Sequence, residues 1–115
     1  LWATAPKLPE ALQVMSAWGF TYKSCAIWDK EIIGMGYWFR NQHELILVGT
    51  KGKVSPPPPA ARSTSVYLQR RGRHSAKPDW AYRIIEAAYP ETRKVELFAR
   101  NHRPGWESYG LELPV

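Results

Sequence analysis

Lys77 is the side chain best placed to do chemistry. It closes a basic loop, Arg70–Lys77, just before a segment whose residue types predict a helix. Pro78 suits the first helical position, so Lys77 falls near the helix N-cap. Lysine is a poor cap, and a cation at the positive end of the helix dipole costs ~0.3–1 kcal/mol. An anionic partner, carboxylate or phosphate, would remove that cost. Local physics leaves equal room for an incidental exposed lysine. Further on, Arg100, Asn101, His102 and Arg103 follow the apolar run Val95–Ala99. They sit where the C-terminal end of a strand opens, the edge at which open α/β sheets bind ligands. One such residue in a loop is more often solvated, but a cluster of four raises the odds of a binding role. Glu96, among apolar neighbours in that run, needs a partner: a ligand, a backbone group or Arg93.

The charge is placed unevenly. The 115-residue chain has a net charge of +6, yet residues 45–78 contain no Asp or Glu and seven bases, Lys51, Lys53, Arg62, Arg70, Arg71, Arg73 and Lys77. The remainder is nearly neutral, so the excess lies in one segment suited to neutralising phosphates and releasing counterions. The alternative is a solvated loop that keeps the protein soluble. His74 and Ser75 belong to the same loop. Trp28, Tyr37, Trp38 and Phe39 could stack an extruded base or serve as core.

Several chemistries find no support. Cys25 is the only cysteine, so no intrachain disulfide or cysteine-based zinc site can form, and His43, His74 and His102 lack metal-ligand spacing. Gly34-Met35-Gly36 is too short for a phosphate-binding glycine loop, and nothing constrains a Ser-His-Asp triad. No apolar run approaches the ~18 residues of a membrane span, and there is no signal-peptide pattern.

The elements that must position these residues alternate between strand and helix. Leu1–Thr4 reads as a strand end. A helix follows from about Pro9 to Trp18, with Ala11, Leu12, Met15 and Trp18 at helical spacing and Gly19 as terminator. Phe20–Trp28 and Leu45–Val48 read as strands joined by a long glycine–aromatic loop, Asp29–Gln42. Pro56–Pro59 must be extended and outside any sheet, and Ser63–Leu68 is a candidate short strand. Pro78 opens a helix with an apolar face of Ala81, Ile84, Ile85 and Ala88, ended by Pro90. Val95–Ala99 reads as a buried strand, and Pro104–Gly110 as an aromatic tail. The alternation predicts an α/β layer with a largely parallel sheet and flanking helices. Both ends run into apolar stretches, so residues 1–115 read as a single domain fragment.

Motifs in order along nearly the whole chain resemble the MT-A70 family of adenine-N6 methyltransferases. They are LWAT at Leu1–Thr4, HELILVGTKG at His43–Gly52, His74-Ser75-Ala76-Lys77-Pro78, Glu96-Leu97-Phe98-Ala99-Arg100, Gly105-Trp106 and Tyr109-Gly110-Leu111-Glu112. The resemblance implies a partial Rossmann-like methyltransferase domain of permuted order, this chain being the portion after the catalytic motif. It implies S-adenosyl-L-methionine as cofactor, with Lys77, Arg100, Asn101, His102, Arg103 and Glu112 binding it. The last of these motifs usually carries Asn where this chain has Leu111, which removes a polar contact to the ribose. Residues 70–77 correspond to a gate over cofactor and nucleic acid, with Arg70, Arg71, Arg73, His74 and Ser75 as nucleic-acid contacts. The family's catalytic Asp-Pro-Pro-Trp motif does not occur in these residues, so the chain by itself should be inactive. The implied partners are DNA, favoured over RNA, and a homo- or heterodimer with another MT-A70-like subunit, in an intracellular setting and away from membranes. A non-catalytic MT-A70-like subunit that binds nucleic acid or a catalytic partner is the alternative.

Overall fold

A computed structural model describes residues 1–72 and 76–114. Strand β1 (Trp2–Ala3) leads through a 3-10 turn into helix α1 (Leu8–Ala17). The chain then forms β2 (Thr21–Asp29), β3 (His43–Thr50) and β4 (Val66–Leu68). Helix α2 (Asp79–Ala88) follows, with β5 (Lys94–Leu97) and β6 (Trp106–Tyr109) closing the order. Among the described residues no helix is long and apolar enough to cross a membrane.

Helix α1 ends as its residues dictate. Gly19 adopts φ +84°, its N–H bonds to Ser16 O at 2.9 Å, and the Phe20 N–H reaches Met15 O at 3.0 Å. That pairing is a Schellman stop, which a left-handed glycine permits. The buried stripe of the helix is Leu8, Ala11 and Met15, while Leu12 and Trp18, expected on the same face, are exposed.

The first four strands form one mixed sheet in the order β1-β3-β2-β4. β3 pairs antiparallel with both β1 and β2, and β2 pairs parallel with β4. The largely parallel sheet expected from the alternation is therefore corrected to a mixed α/β arrangement. The reason is that β2 and β3 are joined by a loop without a helix, and a loop of that kind returns the chain antiparallel. β4 regains the direction of β2 because the long connection after β3 travels back along the sheet. Within that connection Pro58 is extended, with ψ 149°, but Pro59 opens a 3-10 turn, so the proline tract is extended over only part of its length.

Register sorts the side chains onto two faces. The pairs Ala3↔Leu45, Ile27↔Leu45 and Cys25↔Leu47 face α1 and build the core with Met15. The alternate pairs Trp2↔Ile46, Ala26↔Ile46 and Trp28↔Glu44 face the opposite side. That second face looks towards α2 and the parallel β5–β6 pair.

Val95–Ala99 is not the buried strand its composition suggests. The strand stops at Leu97, Val95 and Leu97 are exposed, and Lys94 and Glu96 are the half-buried pair. The inversion follows from Glu96, whose carboxylate accepts a 2.7 Å hydrogen bond from the Tyr82 hydroxyl on α2. The aromatic tail, Pro104–Gly110, supplies β6. Beyond it the backbone closes on itself: Ala99 N–H bonds to Tyr109 O at 2.9 Å, and a Cβ at Gly110 would run into the Ala99 backbone. Gly110→Ala should therefore destabilise the fold by roughly 1–3 kcal/mol, the usual cost of overpacking against an unyielding neighbour, read from chemical denaturation midpoints.

Candidate functional site

The open space between the second sheet face and α2 is a cavity of about 1230 Å³. Its walls include Lys77, Arg100, Asn101, His102, Arg103 and Glu112, so the six expected ligand-binding residues come together although they lie in three separate segments. Ile84 and Ile85 of α2, Val95 and Leu97 of β5, and Ile46 of β3 add apolar wall.

Lys77 reaches this place by a route the sequence did not suggest. The N-cap of α2 is Pro78, extended at ψ 147°, and Asp79 opens the helix as an acidic first-turn residue. Lys77 thus stands one residue before the cap and not at it. Its Nζ donates to Glu44 Oε1 at 2.9 Å and lies 5.2 Å from the Trp2 ring centroid. Glu44 is 8% exposed and also receives Lys30 Nζ at 2.5 Å on Oε2. Burial alone would raise the Glu44 carboxyl, but hydrogen bonds from Lys30 and Lys77, with their charges, hold it below the ordinary carboxylate range. The anionic partner that Lys77 needed is therefore present on β3. Around this pair Trp2 packs edge-on against Trp28 and Trp80, and Trp80 stacks on Tyr67 with centroids 4.1 Å apart.

The opposite wall is held by Arg103. Its Nε and Nη2 grip Glu86 at 2.8 and 3.0 Å, Nη1 donates to Asp79 at 2.6 Å, and the guanidinium lies 4.7 Å from the Tyr82 ring centroid. Trp106 Nε1 adds a 2.7 Å bond to Glu86. Hydrogen bonds from Arg103, then Trp106, pull the Glu86 carboxyl from its ordinary 4.5 to about 2. The hydrogen bond from Arg103 likewise lowers Asp79. Burial, then the bond to Glu96, pushes the Tyr82 hydroxyl up to about 12. Arg100 sits 3.4 Å from Glu112 in a half-exposed pair, and Leu111, where the resemblance leads one to expect Asn, projects fully into solvent. Arg93, an expected partner of Glu96, instead binds Glu107 at 2.8 and 2.9 Å.

The nucleic-acid residues divide. Arg70 and Arg71 are exposed just past β4 and do not line the cavity, while Arg73, His74 and Ser75 lie outside the described residues. Of the aromatics, Trp28 is core at 2% exposure, its Nε1 donating to Gln69 O at 2.7 Å, so it cannot stack a base. Tyr37, Trp38 and Phe39 protrude from the tip of the β2–β3 loop. Glu44 and Glu86 escaped the sequence reading. Glu44 carried one usable signal, a carboxylate in phase with the cavity side of a strand.

The MT-A70 family profile matches residues 1–112. This chain belongs to the MT-A70 family. It is 40% identical over 99% of its length to the Type II methyltransferase M.MunI of a Mycoplasma species, covering 49% of that protein. It is 36% identical over 98% of its length to a putative N(6)-adenosine-methyltransferase MT-A70-like protein of Medicago truncatula, covering 20% of it. It is 32% identical over 98% of its length to the N(6)-adenosine-methyltransferase catalytic subunit METTL3 of Homo sapiens, covering 21%. The chain thus spans half or less of these relatives.

The Glu86 shift has a definite sign. A carboxyl whose folded pKa is depressed stabilises above its unfolded value, and that contribution is lost as pH falls from about 4.5 through about 2. Thermal melts of the wild type should lose stability across that window, and Glu86→Gln should flatten this part of the profile.

Proposed function

We propose that this chain is the cofactor-binding part of an S-adenosylmethionine-dependent adenine-N6 methyltransferase of Rossmann-like, permuted design, acting on nucleic acid. The observation that carries this reading is the convergence of Lys77, the Arg100–Arg103 segment and Glu112 on one cavity with an aliphatic wall. That donor set fits an amino-acid nucleoside. Lys77 and Arg100 suit its carboxylate, Glu112 can accept from ribose hydroxyls, and Ile84, Ile85 and Val95 suit the purine face. When bound, the cofactor supplies an electrophilic methyl group for transfer to the exocyclic N6 of adenine. The chain's own residues bind, orient and desolvate, and positioning of this kind lowers the barrier by fixing the reacting geometry. The groups that hold the adenine amine in the family, those of Asp-Pro-Pro-Trp, must come from outside these 115 residues.

DNA is the favoured substrate over RNA, supported by greater identity to the Type II methyltransferase than to the N(6)-adenosine-methyltransferases. Arg70 and Arg71, with Arg73, His74 and Ser75 beside them in sequence, form the phosphate-binding segment. Pairing with a second MT-A70-like subunit belongs to the same reading. A non-catalytic, scaffold role is the second reading, favoured by Leu111 where a ribose-contacting Asn is usual. An upstream Asp-Pro-Pro-Trp distinguishes enzyme from scaffold.

Calorimetric titration of the full-length protein with S-adenosylhomocysteine tests the assignment. Micromolar binding is expected, weakened about tenfold or more in Lys77→Ala. Lys30→Ala strips the other half of the Glu44 pair without touching the cavity, and should bind nearly as the wild type does. Absence of binding by the folded protein would sink the reading. Replacing Arg70 and Arg71 with Ala should weaken DNA binding whatever its sequence. It should also lower the slope of log affinity against log salt by roughly 0.9 per lost phosphate contact.

A further inference from the structure

We propose that Arg103 is a positioning residue: seated on Glu86 and Asp79, it holds the Arg100–His102 loop in register with Lys77 and so shapes the cavity. This rests on the cofactor reading, and it changes the role that the resemblance implies for Arg103. The loop joins the parallel strands β5 and β6, so it must run back across their length, and it does so over α2 with no regular structure of its own. A segment of that kind needs a fixed point. Arg103 supplies one through a planar fork on Glu86, which a point charge cannot reproduce.

The same guanidinium reaches Asp79, two residues beyond Lys77, and therefore ties the loop to the end of α2 that carries the lysine. Lys77 is anchored on its own side by Glu44. The two walls of the cavity are thus separately seated and joined through one side chain. Three donor atoms of Arg103 are already committed to carboxylates, and its charge is balanced there. Lys77 and Arg100 each face one carboxylate of their own, Glu44 and Glu112, and line the same cavity.

Glu86 makes the test informative, because it does not line the cavity and so does not touch a ligand there. In the full-length protein, calorimetry with S-adenosylhomocysteine is compared for wild type, Glu86→Gln, Arg103→Lys, Arg103→Gln and the double variant Glu86→Gln/Arg103→Gln. The amide in Glu86→Gln would still accept from Trp106 Nε1 but would lack the charge that seats Arg103. The expectation is a loss of about tenfold in each single variant, with the double variant no weaker than Arg103→Gln. In ligand-free NMR spectra of Glu86→Gln, Asn101 and His102 signals should shift while those of β2 and β3 stay in place. A general loss of structure would move both sets and overturn the proposal. Wild-type affinity in Glu86→Gln beside a large loss in Arg103→Gln would make Arg103 a direct ligand contact and overturn the proposal alone. No binding by the wild type would overturn it together with the methyltransferase reading.

Discussion

A carboxylate buried between two lysines is the feature on which the arrangement turns. Glu44, 8% exposed, is the one buried charged residue among the described residues, and removing both of its partners would leave an uncompensated charge. Satisfying it fixes two distant segments. Lys30 secures the base of the β2–β3 loop, and Lys77 draws the segment before α2 down onto the sheet. Trp80, stacked on Tyr67 and edge-on to Trp2, holds the start of α2 on the second sheet face beside that pair, and farther along the helix the space is cavity.

The second device, Arg103 on Glu86 and Asp79, is more exposed and of a different kind. Its side chain and its partners are partly solvated, so its contribution is geometric, fixing direction through a bidentate fork. Tyr82 links it to Glu96 on β5 and Trp106 links it to β6, so α2 and the small parallel sheet are tied together. The cavity therefore has walls set by hydrogen-bonded ions over aliphatic surface, a combination suited to a ligand with one charged and one flat apolar end.

Family membership was legible in short motifs, since His-Ser-x-Lys-Pro and Glu-Leu-Phe-Ala-Arg constrain residue types at fixed spacing. Helix positions were legible from periodicity: α1 and α2 begin and end within one residue of expectation. Sheet direction was not. Alternating helices and strands argue for parallel pairing only when a helix bridges the strands in question, and none bridges β2 and β3. Nor does apolar content in β5 mean burial, because Val95 and Leu97 line an open cavity.

What is local followed from residue order without any packing: the two helices, the main strands of the first sheet, and the concentration of positive charge between residues 45 and 78. Which carboxylate answers each cation was settled by packing. Lys77 meets Glu44 across 33 residues and Arg103 meets Glu86 across 17, and at such separations spacing carries no geometric information. Those pairings depend on sheet register and on which face of α2 turns inward, quantities that exist only once the chain has packed.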